Sequence, residues 1–221
     1  MTIHALIFDF DGLILDTETV EFEIIAELYG EYGHELRRER WVLNLGTHDQ
    51  IDLYDELAAL AGRPLDLASL RERQRMRYLE RCEGLALRPG VADLVETARS
   101  HGLGLAVASS SGGGWVEGWL ERHALRPYFS CVRTRDHVQQ VKPAPDLFLS
   151  AASCLGIAPE ACVVFEDSPN GMRAAAAAGM RCVAVPIALM ADYELPPVAL
   201  RLQYLSDLTL EDLLARLQYL Y

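Results

Sequence analysis

The sequence predicts an α/β fold whose parallel sheet is interrupted, directly after its first strand, by an all-helical segment. Three observations carry this. A short apolar run at 3–8 ends in Asp9-Phe10-Asp11-Gly12, no strand pattern occurs between about 17 and 86, and from Pro89-Gly90 onward helical and strand patterns alternate. With 221 residues, 51% of them hydrophobic, the chain suits one large domain or a core carrying a smaller insertion.

In chain order, Ile3-His4-Ala5-Leu6-Ile7-Phe8 is β-branched and aromatic enough for a buried strand, and Gly12 lets the backbone turn sharply out of it. Alternation along the strand brings Asp9 and Asp11 out on one side, with Phe10 facing away. Val20, Ile24, Ile25, Leu28, Tyr29 and Tyr32 then recur at helical spacing, and Asp16 and Glu18 read as caps of that helix. A second helix runs through Ile51, Leu53, Tyr54, Leu57 and Leu60 until Gly62 and Pro64 end it. A third covers 66–82.

The third helix carries Arg71, Arg73, Arg75, Arg77 and Arg81, which read first as a solvated face balanced by Glu72 and Glu80. The functional alternative is that one or two of them lean over the acidic turn and hold an anionic substrate. Beyond Pro89-Gly90, Val91, Leu94, Val95 and Ala98 mark a helix and 103–108 a buried strand. Trp115, Val116, Trp119 and Leu120 mark the next helix, its aromatic residues read as core. Strands at 131–133, 162–165 and 182–185 alternate with helices at 147–155 and 172–178, and Thr209 with Asp212 fits a capping box ahead of a final helix.

A net charge of −12 and a pI near 4.9 argue against nucleic acid and anionic membranes as partners. An anionic substrate needs local positive charge here. The five cysteines, Cys82, Cys131, Cys154, Cys162 and Cys182, form no Cys-x-x-Cys pair and read as reduced thiols. No leader pattern opens the chain and no apolar stretch reaches bilayer length, so a cytoplasmic protein is expected; a monomer is the default expectation, on which the sequence itself is silent.

Asp-x-Asp-Gly alone reads equally well as a plain turn. Two carboxylates at a buried strand end, however, repel each other unless a cation or proton lies between them, and this predicts a metal. A hard cation such as Mg²⁺ takes oxygen ligands and leaves positions for a substrate phosphate. One carboxylate can then attack phosphorus while the other handles the leaving-group proton. Three further signals each follow a strand or begin a helix, the order an active site at the C-terminal edge of a parallel sheet requires. They are Ser109-Ser110-Ser111, Lys142-Pro143-Ala144-Pro145, and Glu166-Asp167-Ser168. Serine hydroxyls and backbone N–H groups bind phosphate oxygens, a proline-stiffened lysine anchors an anion, and a second pair of carboxylates completes an oxygen shell.

Together, Asp-x-Asp-Gly, strand-Ser, Lys-Pro and strand-Glu-Asp resemble the haloacid dehalogenase superfamily, specifically its β-phosphoglucomutase-like phosphatases with a helical cap. The resemblance covers nearly the whole chain. It implies a Rossmann-like parallel sheet core with helices on both faces, formed by 1–16 and 87–221, and an inserted all-helical cap domain at 17–86. It implies that Asp9 is the nucleophile that becomes an aspartyl phosphate. Asp11 would protonate the leaving oxygen and later activate water, and Ser109, Ser110 and Lys142 would hold the phosphoryl group. Mg²⁺ would be bound by Asp9, the backbone carbonyl of Asp11, and Asp167, with Glu166 as a direct or water-mediated ligand. The expected function is Mg²⁺-dependent hydrolysis of a small phosphorylated metabolite, such as a sugar phosphate.

Asp11 counts against a dehalogenase, whose halide leaves without a proton. The cap loop Gly46-Thr47-His48-Asp49 lacks the arginine expected of a mutase, and Glu21 stands where the mutase pattern has a histidine. A sugar-phosphate mutase is therefore the second reading and a non-catalytic phosphate-binding scaffold the third. Thr47, His48 and the arginines are the candidates for substrate selection.

Overall fold

A computed structural model of the chain describes residues 2–47 and 51–218. Its centre is a six-stranded, wholly parallel sheet in the order β3-β2-β1-β4-β5-β6. The strands are β1 (Ala5–Phe8), β2 (Gly104–Ala108), β3 (Cys131–Arg133), β4 (Cys162–Glu166), β5 (Arg181–Ala184) and β6 (Leu200–Arg201). After β1 the chain builds outward through β2 and β3, then returns to lay β4 on the other side of β1. The strand order reverses between β1 and β4, and ligands of open parallel sheets bind beyond the strand ends at such a point.

The period of two along β1 decides the layers. Leu6 and Phe8 join one apolar cluster with α5 (Val91–Ser100), α6 (Gly113–Arg122) and α9 (Leu210–Gln218). Ala5 and Ile7 join a second cluster with α7 (Asp146–Leu155) and α8 (Pro169–Ala177). Helices thus cover both faces, as the sequence predicts, and a strand buried on both faces reads as an unbroken apolar run. The helix α8 starts at Pro169 instead of Met172, because the Ser168 hydroxyl accepts from Gly171 N at 3.0 Å as its cap and proline suits the first helical position. At α9, Thr209 Oγ1 accepts from Asp212 N at 3.1 Å, as the capping pattern predicts.

Between β1 and α5 lie α1 (Thr17–Glu31), a short α2 (Arg38–Trp41), α3 (Leu53–Ala61) and α4 (Leu67–Cys82), with no strand among the described residues. Their apolar faces build a third cluster around Leu28, Tyr29, Trp41 and Leu57, closed by Ile187 and Met190 from beyond β5. Asp16 caps α1, accepting from Thr19 N at 3.1 Å. The α4 arginines are mostly the solvated face the sequence suggests, but their partners come from α1 as well as from α4 itself. Arg73 pairs with Glu31, Arg77 with Glu27 and Glu31, and Arg81 with Glu23 and Glu27, while Arg75 pairs with Glu72.

One reading is corrected. Cys131 and Cys154 form a disulfide, whereas Cys82, Cys162 and Cys182 are free and buried. The two partners are 23 residues apart in sequence, and only the packing of α7 against β3 brings them together. Thiol titration of the denatured, unreduced protein is therefore expected to give three reactive groups, and five after reduction. Five before reduction would contradict the link. Among the described residues no helix is long and apolar enough to cross a membrane.

Candidate active site

The site is built where β1, β2 and β4 end. Asp9 follows β1 and is buried, as are Glu166 and Asp167 at the end of β4, and one carboxylate oxygen from each lies within 4.8 Å of the others. Lys142, the only lysine in the chain, is fully buried between two of them. Its ammonium donates to Asp9 Oδ1 and, at 2.6 Å, to Glu166 Oε1. Burial raises the Asp9 carboxyl to about 8, with Glu166 and Asp11 adding to the rise and Lys142 opposing it. Lys142 is held above its ordinary value: burial opposes its charge, and the two carboxylates in contact outweigh that.

Asp167 gives the clearest test of a metal. Both its carboxylate oxygens are buried without a hydrogen-bond partner, and its carboxyl is pushed well above the usual range by burial, then by Glu166 and Asp9. The Lys142 ammonium thus touches Asp9 and Glu166 and leaves Asp167 without a partner, and an orphaned buried carboxylate is costly unless a cation meets it. A divalent ion bound there would supply the missing charge. The donor set, all oxygen, suits Mg²⁺.

Glu166 is more committed than the sequence suggests. Its Oε2 accepts from Ser168 N at 2.9 Å and Ser168 Oγ at 2.8 Å, so both oxygens already have donors. Gly171 leaves the room for this arrangement, because a Cβ there would overlap the Glu166 carboxylate. Gly171→Ala is expected to displace Glu166, lower thermal stability by about 1–3 kcal/mol as overpacking does, and reduce activity with it. A wild-type melting curve would refute this. Gly12, at φ +83°, is constrained twice, by its left-handed backbone and by the Asp167 carboxylate a side chain would meet.

Asp11 stands apart from this cluster and lines a cleft of about 350 Å³. Its Oδ1 accepts from Thr17 Oγ1 and Trp115 Nε1, both at 2.9 Å, and its Oδ2 from Ser111 Oγ at 2.6 Å and Ser109 Oγ at 3.4 Å. Ser109 is buried at the end of β2, and its hydroxyl also accepts from Ser111 N at 3.0 Å. The Ser110 hydroxyl is turned away to donate to the Gly46 carbonyl at 2.9 Å, so its hydroxyl is spent on the helical segment. The sequence gives no signal for Thr17 and Arg88 at the site, marks Ser111 and Ser168 only as members of the Ser-Ser-Ser and Glu-Asp-Ser motifs, and reads Trp115 as core. Arg88 donates to the carbonyls of Gly12, Val185 and Pro186, pinning the acidic turn to the loop after β5.

The cleft wall opposite the sheet is formed by the helical segment. Of the α4 arginines, Arg71 lines it, paired with Asp52 and lying over the Tyr54 ring at 4.5 Å. Thr47 lines it as well, as does Glu18, which stands in the first turn of α1 behind the Asp16 cap and faces the cleft from there. His48 and Asp49 lie outside the described residues.

Comparison with known proteins agrees with this geometry. Residues 6–185 match the family described as haloacid dehalogenase-like hydrolase. The putative phosphatase YhcW of Bacillus subtilis is 44% identical over 184 residues, covering 83% of this chain and 84% of its own. Fructose-1-phosphate phosphatase YqaB of Escherichia coli is 37% identical, covering 82% of this chain and 95% of its own. The structure of CbbY from Rhodobacter sphaeroides in complex with xylulose-(1,5)bisphosphate superposes with a TM-score of 0.72 at 29% identity, covering 94% of this chain and 96% of that one. The chain belongs to the haloacid dehalogenase-like hydrolases, and within them it is similar to phosphatases.

Proposed function

We propose that the protein is a Mg²⁺-dependent phosphatase that hydrolyses a small phosphomonoester, of the sugar-phosphate class, through a phosphoryl group carried on Asp9. The observation that carries this is the buried carboxylate surplus around a single lysine at the end of β1, with a second carboxylate, Asp11, poised across the cleft. Relatives named as phosphatases support the reaction class. The cleft volume fits a small metabolite.

Asp9, Asp167 and the Asp11 carbonyl would hold Mg²⁺, with Glu166 reaching it through water because Lys142 and Ser168 already occupy its oxygens. Bound there, the ion neutralises phosphoryl oxygens and orients the phosphate. Lys142 keeps Asp9 Oδ1 engaged and leaves Oδ2 to attack phosphorus. The bond from phosphorus to the ester oxygen breaks as Asp11 gives that oxygen a proton, and the alcohol leaves. Asp11 then takes a proton from water as the water oxygen attacks phosphorus, which releases inorganic phosphate and restores Asp9. Ser109 Oγ and the main chain of Ser110 hold the phosphoryl oxygens through both steps.

Hydrolysis is favoured over mutase chemistry by the state of Arg71, the arginine that the helical segment brings to the cleft, Arg135 lining it from the sheet core. A mutase must grip a second phosphate while its intermediate turns over, and Arg71 is already paired with Asp52. Residues 17–86 act as a cap over the site, with hinges near its two junctions. We also place the protein in the cytoplasm, on its three buried free thiols; the Cys131–Cys154 link runs against this, and Cys154 is exposed to reductant. Phosphate release from a panel of sugar phosphates, dependent on Mg²⁺ and lost with chelator, tests the reading. Interconversion of hexose phosphates without net release would replace it with the mutase, and inactivity across the panel would overturn it.

A further inference from the structure

The Trp115 indole is the least expected neighbour of Asp11. The sequence reads it as core, yet it is half-buried on the cleft wall at the start of α6 and points its N–H at Asp11 Oδ1, 2.9 Å away. Its ring is fixed on two sides. Tyr78 of α4 stacks on it with centroids 5.5 Å apart, and Trp119 meets it edge-on at the same separation. A ring held this way cannot swing its donor elsewhere without breaking both contacts.

We propose that Trp115 is a positioning residue for the reaction: its indole N–H fixes which oxygen of Asp11 carries the transferable proton. An indole nitrogen donates and never accepts, and Thr17 Oγ1 donates to the same oxygen, so while both contacts last the two acceptor positions of Oδ1 are filled and leave no place for a proton. Serine hydroxyls donate or accept as required, so Oδ2, between Ser109 and Ser111, is the oxygen that can hold one. Those two serines open the loop assigned to the phosphate, so the proton is kept on the side where the ester oxygen departs. Tyr78 comes from the helical segment and Trp115 from the sheet core, so the acid's orientation depends on both walls of the cleft. This inference rests on the proposed role of Asp11 as proton donor.

Trp115→Phe keeps a ring for Tyr78 and removes the donor. The test compares kcat/KM for an alkyl phosphate, β-glycerophosphate, with that for p-nitrophenyl phosphate, whose leaving group departs without a proton. A misdirected acid is expected to cost roughly 10- to 100-fold on the alkyl ester and several-fold less on the aryl ester, with KM little changed. Equal losses on both esters, or no loss on either, would overturn the proposal. Asp11→Asn is run beside it. If Asp11→Asn shows the alkyl-aryl split and Trp115→Phe does not, the positioning role fails alone; if Asp11→Asn shows no split, the proton-donor reading fails and takes this proposal with it. An independent readout is the indole N–H resonance that disappears in Trp115→Phe. In otherwise wild-type protein it is expected to move upfield on Asp11→Ala, and an unmoved resonance would show that the contact is absent.

Discussion

Asp9→Asn is expected to abolish phosphate release, by on the order of 10⁴-fold or more as removal of a nucleophile does, while making the metal-free protein more stable. The two effects have one cause. Burial first, and then Glu166 and Asp11, raise the Asp9 carboxyl from its ordinary 3.8 to about 8, so its charge opposes folding when no cation is present. Between those two values the folded protein binds a proton that the unfolded chain has released. Stability from this group is therefore complete below 3.8 and is lost progressively as pH rises toward about 8. The metal-free wild type should melt at lower temperature at pH 8 than at pH 5, Mg²⁺ should flatten that slope, and Asp9→Asn should flatten it without Mg²⁺. Melting curves with chelator across this range check all three, and a slope of opposite sign would contradict the charge balance described here.

Lys142→Met is expected to lose activity as completely but to move stability the other way. Lys142 is the only positive charge in contact with Asp9 and Glu166 among the described residues, and all three side chains are buried. Removing one partner of a buried ionic cluster costs about 3–5 kcal/mol, because the charges left behind have no solvent. Lys142→Arg should not rescue it. Every other basic residue among the 20 Lys and Arg is arginine, so this position alone calls for a compact point charge. The ammonium fits between two carboxylates and 4.9 Å from the Phe148 ring, where a planar fork would overfill a closed space. Thermal melts and phosphate release on both variants check this. A stable, active Lys142→Arg protein would show that the site is roomier and wetter than the geometry indicates.

The parts of this site that were legible in sequence are those fixed by strand ends. An apolar run that stops at a carboxylate states both the buried strand and the group delivered at its edge, as at Asp9 and Asp167, whereas Lys142 lies in the loop between β3 and α7 and is marked by the prolines beside it. What was not legible depends on partners distant in the chain. Trp115 has helical spacing with Trp119, and that pattern describes a core face whether or not the indole N–H finds a carboxylate. Whether Glu166 would meet a metal directly or through water is open in the sequence, because adjacent carboxylates look alike there, and only packing shows that Ser168 and Lys142 occupy its oxygens. The Cys131–Cys154 pair has no spacing signature, since it depends on the packing of α7 against β3. The two-residue β6 and the four-residue α2 are too short for either periodicity to register.

The most direct measurement is a rapid acid quench of the Mg²⁺-loaded enzyme during turnover of an active phosphomonoester, followed by peptide mass spectrometry. The peptide that contains Asp9 should carry the mass of one phosphoryl group, hydroxylamine should release that group as inorganic phosphate and leave Asp9 as a hydroxamate, and neither should occur in Asp9→Asn. Full turnover with no phosphoryl group on that peptide, or with the group on another side chain, would contradict the account.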